Sequence, residues 1–144
     1  MPKQNLCERF TLKVYPAGMS RDVYRVLEVS GEDTLKQFAE AVFAAYDLQE
    51  IPYAYEFIMD DPEYDYETYQ SHPERGRKGV RNKLGSVGLL KGTTFSLSCE
   101  FDLDYWELRI RVQKVQEDMP YGPVAVVKTK GAVSYDEEAF WDDM

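Results

Sequence analysis

Three carboxylates around one chain reversal are the residues of this sequence best suited to chemistry. Asp102 and Asp104 flank a turn, and Glu107 follows it closely. Clustered carboxylates bind divalent cations through oxygen, and one of them can act as a general base. Their spacing fits no calcium loop, however, and Asp side chains commonly cap turns by accepting backbone N–H hydrogens. Both interpretations stay open here, and turn capping is the one we expect.

The sequence lacks the residues of the common nucleophilic and metal sites. His72 is the single histidine and lies in a polar stretch, so a Ser–His–Asp or Cys–His arrangement is not expected. Cys7 and Cys99 have no ligand spacing for zinc, and we predict that both are free thiols. The glycines between positions 85 and 92 do not form a phosphate-binding loop. We therefore predict no catalytic residue, no metal and no cofactor.

The composition is that of an acidic chain with the length of one domain. The 144 residues are 44% apolar and include eleven tyrosines, which suit half-buried sheets and interfaces. The net charge of −9 argues against affinity for anionic membranes and against direct nucleic-acid binding. The polar start resembles no signal peptide, and no apolar run has the length of a membrane span. We expect a single cytoplasmic domain over residues 1–144.

Hydrophobic periodicity predicts a sheet with one main helix. Residues 9–15 and 23–29 alternate as two half-buried strands, which we predict to pair as an antiparallel hairpin. Thr34 and Gln37 have the spacing of a capping box at the start of an amphipathic helix. A strand at 53–59, a hairpin over 95–112 and an edge strand near 124–128 follow. We predict an α+β fold with a β-grasp-like mixed sheet packed on that helix.

Two charged segments stand apart from the predicted core of about 9–128, one inserted into it and one after it. A long charged insertion, the arm at about 60–83, is acidic in its first half and basic in its second. The basic residues of the arm are the only basic cluster that the sequence reveals, and the two halves are expected to pair with each other. The acidic tail at about 134–144 mixes carboxylates with aromatic rings. The predicted partner-binding residues are Tyr64, Tyr66, Tyr69, Phe140 and Trp141.

Several short motifs resemble the plasmid pRiA4b ORF-3-like family. They are the helix from Thr34-Leu35 to Ala44-Ala45-Tyr46, then Tyr55-Glu56-Phe57, Leu89-Leu90-Lys91-Gly92-Thr93-Thr94-Phe95, Phe101-Asp102 and Trp106-Glu107. Their order and spacing agree from about residue 10 to residue 115. This family occurs on plasmids and other mobile elements and is largely uncharacterised. The resemblance therefore implies a fold rather than an activity.

The chain also departs from the family pattern. Family members usually carry histidines where Ala39 and Leu108 stand in this sequence, and a third near Tyr53. A glycine is missing between Leu103 and Asp104, and the Pro-Pro-Glu-Asp-Val-Gly-Gly ending is absent. A metal or acid–base role of those histidines is therefore not transferred to this chain.

These observations favour a non-enzymatic cytoplasmic interaction module encoded on a mobile element. We expect a protein partner with a basic surface, and a homo-oligomer is compatible with the sequence. A sharper version is an acidic inhibitor that occupies the nucleic-acid-binding groove of a host defence protein. The alternative from another class is a metal-assisted enzyme centred on Asp102, Asp104 and Glu107.

Overall fold

The computed structural model describes residues 6–48, 51–59, 67–73, 75–102 and 104–132. These residues form one seven-stranded sheet, one α-helix and a short 3₁₀ helix at Leu84–Ser86. The elements are β1 (Leu6–Pro16), β2 (Tyr24–Ser30), α1 (Leu35–Ala45), β3 (Ala54–Met59), β4 (Glu67–Gln70), β5 (Thr94–Glu100), β6 (Tyr105–Pro120) and β7 (Ala125–Lys130). The strand order across the sheet is β4-β3-β5-β6-β1-β2-β7.

The predicted α+β fold, with a β-grasp-like mixed sheet packed on one main helix, is wrong. All pairings between these seven strands of the described residues are antiparallel, and the sheet dominates the chain. The physical reason is the length of β6, which pairs with β5 on one side and with nearly all of β1 on the other. The hairpins β1–β2 and β5–β6 are therefore joined side by side in one antiparallel sheet.

The hydrophobic core lies between α1 and one face of the sheet. Phe38 on the helix stacks on Phe57 of β3, with ring centroids 5.8 Å apart. The Tyr46 hydroxyl donates to the backbone oxygen of Val14 in β1 at 2.7 Å. Each fully buried large side chain contributes about 1.5–3 kcal/mol through the hydrophobic effect. Burial also raises the pKa of Tyr46 to about 12, although the nearby Arg25 opposes the shift.

The start of α1 confirms the predicted capping box. Thr34 Oγ1 accepts a hydrogen bond from the Gln37 backbone N–H at 3.1 Å. Gln37 Oε1 in turn accepts from the Thr34 backbone N–H at 2.8 Å. Two N–H groups that the helix itself leaves without partners are thereby satisfied.

Arg25 ties the end of α1 to the edge strand β7. Its side chain is 6% exposed and lies on the core face of β2. Nε donates to the Ala45 backbone oxygen at 2.9 Å, and Nη1 donates to that of Lys130 at 3.0 Å. The guanidinium also lies over the Tyr46 ring, 4.5 Å from its centroid. Carbonyl oxygens and an aromatic face thus stabilise this cation inside the protein.

Part of the predicted charged arm is an ordered edge of the sheet. Residues Glu67–Gln70 form β4, and Val80 is also buried. Lys78 of the basic half forms a salt bridge with Glu67 of the acidic half, as the expected pairing of the two halves requires. Residues 60–66 and 74 of the arm lie outside the described residues.

Candidate interaction surface

The face of the sheet that points away from α1 is rich in cations. In β1, Phe10, Leu12 and Val14 are buried in the core, so the alternate residues of that strand point to the other side. Lys13 is one of them, and it lies directly opposite Arg111 of β6. We call this side of the sheet the outer face.

Seven cations of the strands β1, β6 and β7 lie on the outer face, as the strand register shows, and one of them, Arg9, pairs with Glu28. We call the other six the basic face, and they are Lys13, Arg109, Arg111, Lys114, Lys128 and Lys130. Lys13 lies opposite Val26 of β2, and Val26 lies opposite Lys128 of β7. One row across four neighbouring strands therefore carries three cations, because Arg111 continues it into β6.

A β-bulge brings Lys114 onto this face. The register pairs Leu12 with Val112 but Thr11 with Lys114, so Gln113 is an extra residue in β6. Such a residue shifts the alternation of the strand by one position. Lys114 therefore joins the side of Arg111, and Val115 packs against the core.

Two tyrosines lie among the cations. Lys13 Nζ is 4.5 Å from the centroid of the Tyr24 ring and 5.7 Å from that of Tyr15. Lys128 Nζ is 5.6 Å from the Tyr24 centroid. Cation–π contacts of this kind hold amines in place without neutralising their charge. The amines of Lys13 and Lys128 therefore stay charged.

Glu28 of β2 and Glu107 of β6 also lie on the outer face, but neither forms a salt bridge with the cations at its centre. Among the described residues, no salt bridge within 4.0 Å involves Lys13, Arg111, Lys114 or Lys128. Arg109 donates a hydrogen bond to the Ser96 hydroxyl. Salt bridges elsewhere among the described residues join Arg9 to Glu28, Lys36 to Glu40, Lys78 to Glu67 and Lys83 to Glu32.

The model of one protein family matches residues 8–138, which is most of the chain. The protein belongs to the plasmid pRiA4b ORF-3-like family. This confirms the resemblance seen in the sequence. No curated protein matches the chain.

A solved structure has the same fold as this family member. It is a protein of unknown function, MM3350, from Methanosarcina mazei Go1, with a TM-score of 0.74 and 19% sequence identity. The match covers 95% of this chain and 78% of the other. At this identity the similarity shows the fold and carries no information on activity.

The three positions at which the resemblance implied histidines differ in burial. Ala39 and Leu108, where the resemblance implied histidines, are 0% exposed and belong to the core. Tyr53, the third position, is 59% exposed. In this family member the two core positions are filled by apolar side chains that only pack.

The acidic turn has the geometry of a capped reversal. Asp104 Oδ1 accepts a hydrogen bond from the Tyr105 backbone N–H at 3.1 Å. Asp102 is exposed, and Glu107 lies on β6, where it faces Ser98 of β5. Among the described residues, no group of three or more His, Cys, Asp or Glu side chains has the geometry to hold a metal ion. The hydrogen bond of Asp104 is of the kind that caps a turn, and turn capping by Asp102 and Glu107 stays a prediction.

Of the five predicted partner-binding residues, only Tyr69 lies within the described residues. Tyr69 of β4 is 4% exposed and packs in the core, and burial raises the pKa of its hydroxyl. Its ring is therefore not available as a surface contact, because this part of the arm forms β4 and places the Tyr69 side chain in the core. Tyr64, Tyr66, Phe140 and Trp141 lie outside the described residues.

The basic face is the feature that sequence reasoning missed. The sequence indicates the arm as the only basic cluster, but the six cations lie on three separate strands. Alternation did point Lys13, Arg109 and Arg111 away from the core. Their neighbourhood follows only from the strand order, and the position of Lys114 follows only from the bulge.

Both cysteines are free thiols, as predicted. Cys99 in β5 is 0% exposed, and burial raises its pKa to about 12. Cys7 is half-buried and lies 3.2 Å from the Ser30 hydroxyl oxygen. In the part of the chain that the structure describes, no helix is long and apolar enough to cross a membrane.

Proposed function

We propose that this protein is a non-enzymatic interaction module that binds an acidic segment of a protein partner on its basic face. The observation that carries the proposal is the concentration of six cations on one open sheet face of a chain whose net charge is −9. A cluster of cations attracts carboxylates and fixes the orientation of an acidic partner.

The strand register supports a functional reason for this cluster. Lys13 and Arg111 are directly opposite each other in β1 and β6. Like charges in directly opposed positions destabilise a sheet. An Asp or Glu opposite either cation would stabilise the sheet, and the chain contains 26 such residues. A local choice that opposes stability is most common where a protein binds something.

The chemistry of the face favours a protein segment over a nucleic acid. Single-stranded nucleic acids bind sheets through open aromatic rings that stack on bases. Here Lys13 and Lys128 approach the Tyr24 ring, and Tyr24 is only partly exposed. The negative net charge also repels a long polyanion. A short run of carboxylates needs no stacking surface and carries less charge.

The earlier expectation of a basic partner stays a prediction. It depends on Tyr64, Tyr66, Phe140 and Trp141, which lie outside the described residues. We also propose that the protein acts in the cytoplasm. The partner proposed for the basic face is acidic, whereas the sequence alone led us to expect a basic partner.

Fluorescence anisotropy with a labelled peptide of Glu and Ser residues tests the proposal. We expect saturable binding to the full chain that weakens strongly between about 0.05 M and about 0.5 M salt, since salt screens exposed charges. The double variant Lys13→Gln, Arg111→Gln is expected to bind about tenfold more weakly, because two lost charge contacts of about 0.7 kcal/mol each sum to that factor.

A matched variant controls for the loss of charge alone. Lys36→Gln, Lys83→Gln removes the same charge from α1 and from the segment before the 3₁₀ helix, away from the basic face. We expect it to bind the peptide almost as well as the native chain. Equal weakening by both double variants would refute a site on the basic face. Tighter binding of a thymidine oligonucleotide than of the peptide would refute the proposed class of partner.

A further inference from the structure

We infer that the acidic tail of the chain is itself a ligand of the basic face and competes there with the partner. This inference rests on the proposed function, since it assigns an intramolecular competitor to the same surface. The tail carries five carboxylates, which are Asp136, Glu137, Glu138, Asp142 and Asp143. The basic face carries six cations, so its charge is opposite to that of the tail.

The chain leaves the sheet beside the basic face. Lys130, the last residue of β7, lies opposite Tyr24, and its Nζ donates to the Arg21 backbone oxygen at 2.6 Å. Gly131 follows with φ +68, and a Cβ there would clash with the Asp22 backbone oxygen. Close packing of Gly131 against Asp22 and Val23, just before β2, thus fixes the point at which the chain leaves the edge of the sheet.

The tail has the reach to cover the whole face. The twelve residues 133–144 span at most about 40 Å when extended. Arg111 in β6 lies three strands from β7, which is about 14 Å at the usual spacing between strands. Asp136 is only four residues beyond Ala132. Its carboxylate can therefore reach Lys128 in the edge strand without crossing the sheet.

A second possible binding site for the tail is an apolar groove, but the charge of this groove does not suit an acidic segment. An apolar groove of about 650 Å³ lies beside α1 and is lined by Phe43, Leu48, Ile51 and Tyr55 among others. Phe140 and Trp141 would suit its apolar walls. However, the charged residues that line it are Lys36, Glu40 and Asp47, so its net charge repels the carboxylates of the tail. Electrostatics therefore favours the basic face.

Zero-length carbodiimide cross-linking of the full chain tests where the tail lies, because the reagent joins only amines and carboxylates in direct contact. We expect tail carboxylates to couple to Lys13, Lys114 or Lys128 within one molecule, as detected by peptide mass spectrometry. The Lys78–Glu67 and Lys83–Glu32 salt bridges are internal positive controls. Control cross-links without tail cross-links would overturn the inference. Tail cross-links to Lys36, or to a second copy of the chain, would also overturn it.

Competition is tested by removing the charge of the tail in the full chain. The variant Asp136→Asn, Glu137→Gln, Glu138→Gln, Asp142→Asn, Asp143→Asn should bind the labelled acidic peptide about tenfold more tightly, if the tail covers the face about nine-tenths of the time. The matched control is Glu32→Gln, Glu40→Gln, Asp47→Asn, Glu117→Gln, Asp118→Asn. It changes the net charge by the same amount and should gain much less affinity.

The outcomes separate this inference from the proposed function. Equal peptide binding by the native chain and the tail variant would overturn tail competition and leave the basic face as a binding site. Tail cross-links to the face in a protein that binds no peptide, even with a neutral tail, would support tail docking and overturn the proposed function. The two ideas therefore fail in different measurements.

Discussion

Lys13 and Arg111 lie directly opposite each other in the neighbouring strands β1 and β6. Arg111 is exposed, and no carboxylate among the described residues lies within 4.0 Å of either cation. The contact that holds Lys13 is the ring of Tyr24, which attracts the amine but leaves it charged. The sheet thus keeps two like charges together at the centre of its open face.

This pair predicts that binding and stability oppose each other. Arg111→Glu should raise the free energy of unfolding by about 0.5 kcal/mol, because an attraction to Lys13 replaces a repulsion. The same variant should weaken binding of the acidic peptide. Urea denaturation and anisotropy measure the two effects. Lys114→Glu, which faces Thr11, is the control and should stabilise less. A destabilised Arg111→Glu protein would contradict the prediction.

Arg25 is expected to be essential for joining α1 to β7. Arg25→Met keeps the length of the side chain but leaves the backbone oxygens of Ala45 and Lys130 without their donors. Loss of charged hydrogen bonds at this buried site should lower the free energy of unfolding by about 2–3 kcal/mol. Urea denaturation measures it. Arg21→Met, at an exposed position, should change little, and an equal effect of both variants would argue against this role.

The capping box of α1 gives a smaller effect. Thr34→Ala removes the oxygen that accepts the Gln37 backbone N–H and should cost about 1 kcal/mol. Thr34→Ser keeps that oxygen and should retain most of the stability. Thermal and urea unfolding of the three proteins measure the difference. Loss of stability in Thr34→Ser equal to that in Thr34→Ala would show that the methyl group matters instead.

Cys99 predicts a loss of stability in alkaline solution. Folding raises the pKa of its thiol from 9.0 to about 12. Between these values the unfolded chain releases a proton that the folded chain keeps, so stability falls as pH rises. The slope contributed by Cys99 should be about 1 kcal/mol per pH unit near pH 9 to 10, below the main titration of the tyrosines.

Two measurements check the prediction for Cys99. The pH dependence of urea denaturation should be shallower in Cys99→Ala than in the native protein. Alkylation followed by mass spectrometry should label the half-buried Cys7 first and Cys99 only when the protein unfolds. Rapid labelling of Cys99 under native conditions would contradict its burial.

The local elements were readable from the sequence because short-range chemistry determines them. Thr34 and Gln37 predicted the helix start, and the alternation in β1 and β2 predicted their hairpin. The small strand β4 was missed because four residues among charges carry a single buried anchor, Tyr69. Its neighbours in the arm gave no periodic pattern that could reveal it.

The arrangement of the sheet and the candidate site could not be read in the same way. Strand order depends on long-range pairing, and the antiparallel partnership of β6 with both β1 and β5 has no local signal. The bulge at Gln113 moves Lys114 to the side opposite the one that simple alternation gives it. A surface assembled from three distant strands therefore appears only when the register is known.

Mapping the acidic peptide on the full chain shows directly whether the basic face is the binding site. Backbone amide chemical shifts of the isotope-labelled protein can be followed through a titration with the peptide at low and high salt. The account predicts the largest changes in β1, β6 and β7, around Lys13, Arg111 and Lys128, and their disappearance at high salt. Changes confined to α1 and the segment around the 3₁₀ helix, with the basic face unaffected, would contradict it.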